Sequence, residues 1–175
     1  TGTGPNRSNG FIAVNFDVNN TSTDLAVANK RLHFHHIYAH DMGGFITIAR
    51  RSQTLAATPM TEGLSVHDCR AENLLGVDHG VSCPYTRNAH IYNNRFYNDI
   101  ATKTIQDNMA VDASSGADTV HIHNNYVYGF VFGMKCETAT SAGPSGTEVR
   151  PCYKVLFENN HLEQIGDPTV VVWPG

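Results

Sequence analysis

Charge is scarce in this chain, and the little present leans acidic. Only 16% of the 175 residues are Asp, Glu, Lys or Arg, and 12 basic groups face 16 acidic ones, a formal charge of −4. Nucleic-acid binders draw most of their affinity from basic groups paired with phosphates, so that class is excluded. No stretch approaches about 18 consecutive apolar residues, which excludes a membrane-spanning helix. A helical hydrophobic period is also missing, and the 15 Gly follow no collagen-like period. The chain is nevertheless 41% hydrophobic, too apolar for intrinsic disorder and long enough for one core, so residues 1–175 read as a single domain. Asn outnumbers Lys, and His occurs 10 times.

The chain repeats itself. Five segments superimpose, LHFHHIYAHD from Leu32, LSVHDCRAEN from Leu64, AHIYNNRFYND from Ala89, VHIHNNYVYG from Val120 and VLFENNHLEQ from Val155. Their anchors Phe34, Val66, Ile91, Ile122 and Phe157 are 32, 25, 31 and 35 residues apart. Counting from each anchor, positions −2 and 0 are apolar, +2 and +3 read HI, DC, NN, NN and NN, and +5 is Ala39, Ala71, Phe96, Val127 or Leu162. Alternation over so few residues is a short strand with one face inward. An Asn pair between two such strands is a tight bend, because Asn tolerates the left-handed backbone region. A third apolar run follows in each copy: FITIA, VDHGV, VFGMK and, at the end, TVVVW. Three short strands per repeat describe one turn of a coil, in which stacking buries the columns that no single turn could bury alone. The paired Asn93/94, 124/125 and 159/160 are expected to hydrogen-bond one another along the axis. A β-sandwich also uses many short strands, but it does not require the Asn pair to recur between the same two apolar positions.

Cysteines stand at 69, 83, 136 and 152. Cys136 and Cys152 bracket ETATSAGPSGTEVRP, a Gly/Ser/Pro/Thr-rich excursion whose ends suit a disulfide staple. Cys69 and Cys83 form a second pair, or Cys69 is a small buried apolar residue. An oxidising setting, extracellular (secreted) or at a virion surface, follows from that pairing. Sequons at Asn6, Asn19 and Asn20 agree with secretion. Residue 1 is Thr, no signal-peptide apolar segment precedes the first apolar run, and TVVVWPG stops abruptly. The expectation is a processed chain or an excerpt of a longer one.

The pattern V-x-I-x-N-N-x-V-x, present as VHIHNNYVY, resembles the repeat of the right-handed parallel β-helix in the pectate-lyase-like superfamily. That superfamily includes polysaccharide lyases, polygalacturonases and phage tailspike depolymerases. The resemblance covers roughly residues 11–173 and implies an all-β fold: a right-handed single-stranded parallel β-helix (solenoid) of about five to six rungs with long loops on one side. Length variation falls after the third strand of each repeat, in residues 50–63, 82–88, 106–118 and 137–153, and such loops wall a groove. In the families resembled, the sheet beside those loops carries catalysis and binds polysaccharide.

Aligning the third strands on Gly44, Gly76, Ala101 and Gly133 puts Ile46, Asp78, Lys103 and Lys135 in one column, outward on successive turns about 4.8 Å apart. The lysines would neutralise a uronate carboxylate and acidify the adjacent proton, and a basic group would remove it, which is β-elimination. The expected catalytic set is therefore Lys103, Lys135, Asp78 and His79, with Asp107, Asp112 and Arg87 binding substrate. If DNMAVDA replaces ATKTI as the third strand, Asp107 and Asp112 face the groove instead. An exposed Asp–Lys–Lys ladder without catalytic role is the competing reading.

His also lines up in columns. Position −1 reads His33, Ser65, His90, His121, Leu156, and +1 reads His35, His67, Tyr92, His123, Glu158. His-x-His on a strand offers metal pairs at His33/His35 and His121/His123, but no third, acidic ligand stands at a matching position. Stacking of flat rings on their neighbours is the preferred expectation. QDNMAVD resembles the first acidic strand of polygalacturonases, with Asp107 and Asp112 at its acidic positions. GFVFGMKC then lacks the paired Asp that should follow, and VDHG only half matches the GHG motif, so inverting hydrolysis is not favoured. No cofactor is fixed: Ca2+ is the ion the resemblance allows, although the dense Asp cluster of pectate lyases is missing. A nucleophile elbow and a phosphate loop are absent.

The expected function is an extracellular polysaccharide-processing protein, a lyase acting on an acidic, uronate-containing glycan. The alternatives are a non-catalytic glycan-binding or structural segment of a tailspike, fibre or adhesin, and a glycoside hydrolase of the same fold. With no amphipathic helix to cap the coil, neighbouring chain or subunits would cover the strand edges, and homotrimers are typical of the tailspikes resembled.

Overall fold

The computed structural model describes residues 14–16, 29–50, 61–74, 80–84, 86–98, 109–114, 116–136, 139–143 and 146–166. Among these no helix occurs, and parallel strands form three sheets. Each of the first four repeats contributes a strand to every sheet, and the fifth contributes, among the described residues, one to the first sheet and one to the second. The first sheet holds His33–His35, Ser65–His67, Thr86–Tyr92, Asp118–His123 and Tyr153–Glu158. Its register runs Phe34, Val66, Ile91, Ile122, Phe157, the five anchors of the repeat. In the second sheet Tyr38–His40, Arg70–Glu72, Arg95–Tyr97, Tyr126–Tyr128 and His161–Glu163 align Ala39, Ala71, Phe96, Val127 and Leu162. The chain thus returns to each sheet once per repeat, as in an all-β parallel solenoid.

Short strands with one inward residue in two explain both columns. Val66, Ile91, Ala71, Phe96 and Val127 are fully buried, while the residues flanking them face out. At the last described turn the same columns surface, with Phe157 42% and Leu162 50% exposed.

The corners are made by left-handed residues that recur as regularly as the strands. Position +2 has φ near 50–55° in every copy, at His36, Asp68, Asn93, Asn124 and Asn159. Position −3 does the same at Arg31, Gly63, Asn88, Thr119 and Lys154. At +7, Asp41, Asn73, Gly129 and Gln164 turn the chain again. Gly129 allows no other residue: a Cβ there would lie 1.9 Å from the Asn98 carbonyl oxygen. Corner amides stay paired, since Asn93 N–H donates to His123 O and Asn124 N–H to Glu158 O on the next turn.

Position +3 carries the expected Asn ladder. Asn94 Nδ2 donates to Asn125 Oδ1 and Asn125 Nδ2 to Asn160 Oδ1, each at 3.0 Å. The same amides cap backbone carbonyls of Val66, Ile91 and Ile122. Asn94 and Asn125 are each 2% exposed, so the ladder satisfies polar groups that burial would otherwise strand.

The third sheet departs from the expected register. It comprises Val14–Phe16, Ile46–Arg50, Val81–Ser82, Met109–Asp112 and Phe132–Lys135, with Ile46, Val81, Val111 and Met134 aligned. The alternative strand is therefore the one used: Met109–Asp112, within DNMAVDA, pairs with Phe132–Lys135. Met109, Ala110 and Val111 give an uninterrupted buried run that the Lys-bearing ATKTI cannot supply. Val81 likewise takes the place assigned to Asp78, because Gly80 is needed at the entry: a Cβ there would meet the Ala110 carbonyl oxygen at 2.5 Å and the Phe96 ring at 2.9 Å.

The disulfide expected between Cys136 and Cys152 is not formed, and all four cysteines are thiols. The excursion closes instead through its own antiparallel hairpin, Ala139–Gly143 with Gly146–Arg150. Cys152 Sγ turns to the Ala113 carbonyl oxygen at 3.2 Å. Cys69 is the small buried residue of the two alternatives, its thiol on the His67 carbonyl oxygen at 3.2 Å.

Candidate functional site

Two polar faces of the coil carry reactive side chains. On the third sheet, alternation turns Val81, Val111 and Met134 inward and sets Thr47, Ser82, Asp112 and Lys135 on the outer side, where Asp112 and Lys135 are half-buried and Ser82 is only 7% exposed. Asp112 is the in-register partner of Lys135 on one side and of Ser82 on the other. Ser114 Oγ donates a short hydrogen bond to Asp112 Oδ1 and fixes that carboxylate. A hydroxyl, an acid and an ammonium follow one another along the axis, a set able to bind sugar hydroxyls and a sugar carboxylate.

Of the residues singled out in the sequence, Lys135 and Asp112 come together here. Asp78, His79, Lys103 and Asp107 lie outside the described residues. Arg87 sits on the first sheet, in register with Glu62 and Asp118 and 3.4 Å from Asp118 Oδ2, on a different face from Lys135.

The first sheet presents the imidazoles. Its +1 column is a ring stack: His35 on His67 at 5.3 Å, His67 on Tyr92 at 4.8 Å and Tyr92 on His123 at 5.0 Å, with planes within 11° of parallel. His67 also reaches Asp68 Oδ2 at 2.7 Å, and that hydrogen bond holds the Asp68 carboxyl below its ordinary range. The −1 column behaves otherwise. His90 and His121 are in-register partners, yet their rings stand 6.0 Å apart and 59° from parallel. His121 tilts 35° from His123 at 4.1 Å. Ligand nitrogens of His90, His121 and His123 all lie within 4.8 Å of one another. Burial, then the neighbouring His121 and His90, push the His123 pKa below its ordinary value.

An acidic group stands beside this cluster, hydrogen-bonded to one of its members. Glu158 is the in-register partner of His123, and its Oε2 lies 2.9 Å from His121 Nε2. His90 and Glu158 escape a search along one strand because they flank the His121/His123 pair from the turns on either side. Reading the two columns together, −1 on one turn against +1 on the next, is the signal that finds them. His33 and His35 stay apart from this group, His35 Nδ1 being 2.9 Å from His36 Nδ1.

The second sheet is self-satisfied. Arg95 lies over the Tyr97 and Tyr126 rings at 5.5 and 5.3 Å, Tyr97 stacks on Tyr128, and Tyr38 and Tyr126 hydroxyls donate to Glu72 and Glu163. No helix among the described residues is long and apolar enough to cross a membrane. Comparison with protein-family models, curated proteins and solved structures finds no match.

Proposed function

We propose that this chain is a right-handed single-stranded parallel β-helix of the pectate-lyase-like kind that acts on an acidic polysaccharide outside the cell or at a virion surface. The observation that carries this reading is the Ser82–Asp112–Lys135 row on the outer side of the third sheet, about 4.8 Å per turn. Lys135 neutralises a uronate carboxylate and so stabilises charge developing at the adjacent carbon. Asp112 accepts the proton from that carbon, its electron pair forms the ring double bond, and the glycosidic carbon–oxygen bond breaks as the leaving oxygen takes that proton from Asp112, which restores the carboxylate.

The second reading is a non-catalytic glycan-binding or structural segment. The exposed apolar end favours it, where Phe157, Leu162 and Ile165 line a cleft of about 520 Å3 with Met134 and Gly133. A further copy of the chain stacked there would cover it, and a homotrimer belongs to this reading.

Alginate, pectate and acidic capsular glycans, followed by absorbance of the unsaturated uronate product, test the first reading. Turnover lost in both Lys135→Ala and Asp112→Asn is expected, and turnover intact in both overturns the assignment. Glycan retardation in an affinity gel without turnover moves the conclusion to the second reading, and neither signal removes both.

A further inference from the structure

We propose that His90, His121 and His123, with Glu158 hydrogen-bonded to His121, form a Zn2+ site that staples two successive turns of the coil. Three features of the first sheet carry it. The ligand nitrogens already lie within 4.8 Å of one another. Tetrahedral zinc with bonds of 2.0–2.2 Å needs donor atoms about 3.4 Å apart, so the imidazoles have about 1.4 Å to close, within reach of side-chain rotation. The His121 Nε2 to Glu158 Oε2 hydrogen bond of 2.9 Å gives that ring a carboxylate partner and leaves Nδ1 to ligate.

The neighbouring column supplies the contrast. Rings at +1 stack within 11° of parallel, the arrangement expected when flat side chains merely cover one another. At −1 the in-register pair His90/His121 abandons stacking for a 59° tilt, and His121 crowds His123 at 4.1 Å. This is the one place among the described residues where ligand nitrogens of three side chains converge.

Donor chemistry selects the ion. Three imidazoles suit Zn2+, whereas Ca2+ and Mg2+ take oxygen ligands. Three protein donors leave the fourth tetrahedral position to water. A second shell is present: the Asn124 amide lies 3.1 Å from His123 Nδ1 and holds that ring whichever way the amide is turned. His90 and the His121/His123 pair belong to consecutive turns, and the Glu158 hydrogen bond links the ligand cluster to the exposed strand Tyr153–Glu158. The site lies on the first sheet and is independent of the third-sheet row.

Calorimetric titration of the full chain with ZnCl2 after chelation and dialysis tests this. One Zn2+ per chain, a higher thermal midpoint and slower amide exchange across Tyr153–Glu158 are expected. Each of His90→Ala, His121→Ala and His123→Ala should weaken binding at least tenfold, and Glu158→Gln about tenfold. His33→Ala with His35→Ala should leave it unchanged. Because these four side chains face outward, circular dichroism should show each variant folded, and Co2+ in place of Zn2+ should give tetrahedral visible bands. Unchanged affinity in the variants, equal loss in the His33/His35 control, or octahedral Co2+ spectra would overturn the site.

Discussion

Left-handed corner residues cost roughly 1–2 kcal/mol each when they carry a Cβ, and this coil uses many. They persist because the corner amide pairs with the next turn and, at Asn93, Asn124 and Asn159, because the Asn that follows ties the bend to a neighbouring turn. Asn125 shows the dependence best: its Oδ1 accepts from Asn94 N and Nδ2, while its Nδ2 donates to Ile91 O and Asn160 Oδ1. Asn125→Ala strands several buried polar groups and should cost about 2–4 kcal/mol in urea unfolding followed by circular dichroism. Asn125→Asp should be at least as damaging, since a carboxylate cannot donate to Ile91 O.

Strands here are too short to be stable alone, so each relies on its neighbours and on what the sheet encloses. Cys83 closes the strand Val81–Ser82 inside the core, and burial, followed by the negative charge of Asp112, pushes its thiol well above the ordinary 9.0; Cys136 and Cys152 add to that push. The unfolded thiol ionises near its ordinary value while the folded one keeps its proton. Stability is thus whole below about pH 9 and falls as pH rises from there toward the folded value. Chemical denaturation at pH 8 and pH 10 should show the decline, and Cys83→Ala should flatten it. In the native protein a thiol reagent should modify exposed Cys136 long before Cys83, read by peptide mass.

A stack of turns derives its stability from interfaces between neighbours, so position along the axis decides what a side chain contributes. Phe96 and Leu162 occupy the same inward column, yet Phe96 is fully buried and Leu162 is 50% exposed. Phe96→Ala should cost about 3–5 kcal/mol, whereas Leu162→Ala should cost less than about 1.5 kcal/mol in the monomer, measured by denaturant unfolding. Equal losses would mean that the end of the coil is covered in solution, and sedimentation would then show a second copy there.

Spacing alone revealed the anchors, the +5 column and the Asn ladder, because each is a local alternation repeated at nearly constant interval. The third strand was legible only as two candidates: its entry demands Gly80 and its inward run Met109–Val111, and neither has a periodic neighbour to mark it. That choice moved Lys135 from a column with Asp78 and Lys103 to one with Asp112 and Ser82. The cysteine spacing suggested a staple that the hairpin makes unnecessary. Order along the chain dictates what recurs, since hydrophobic alternation and bend chemistry act over a few residues. Which side chains meet across turns depends on axial stacking and ring tilt, and only the folded coil brings His90 and Glu158, 68 residues apart, to the same His121/His123 pair.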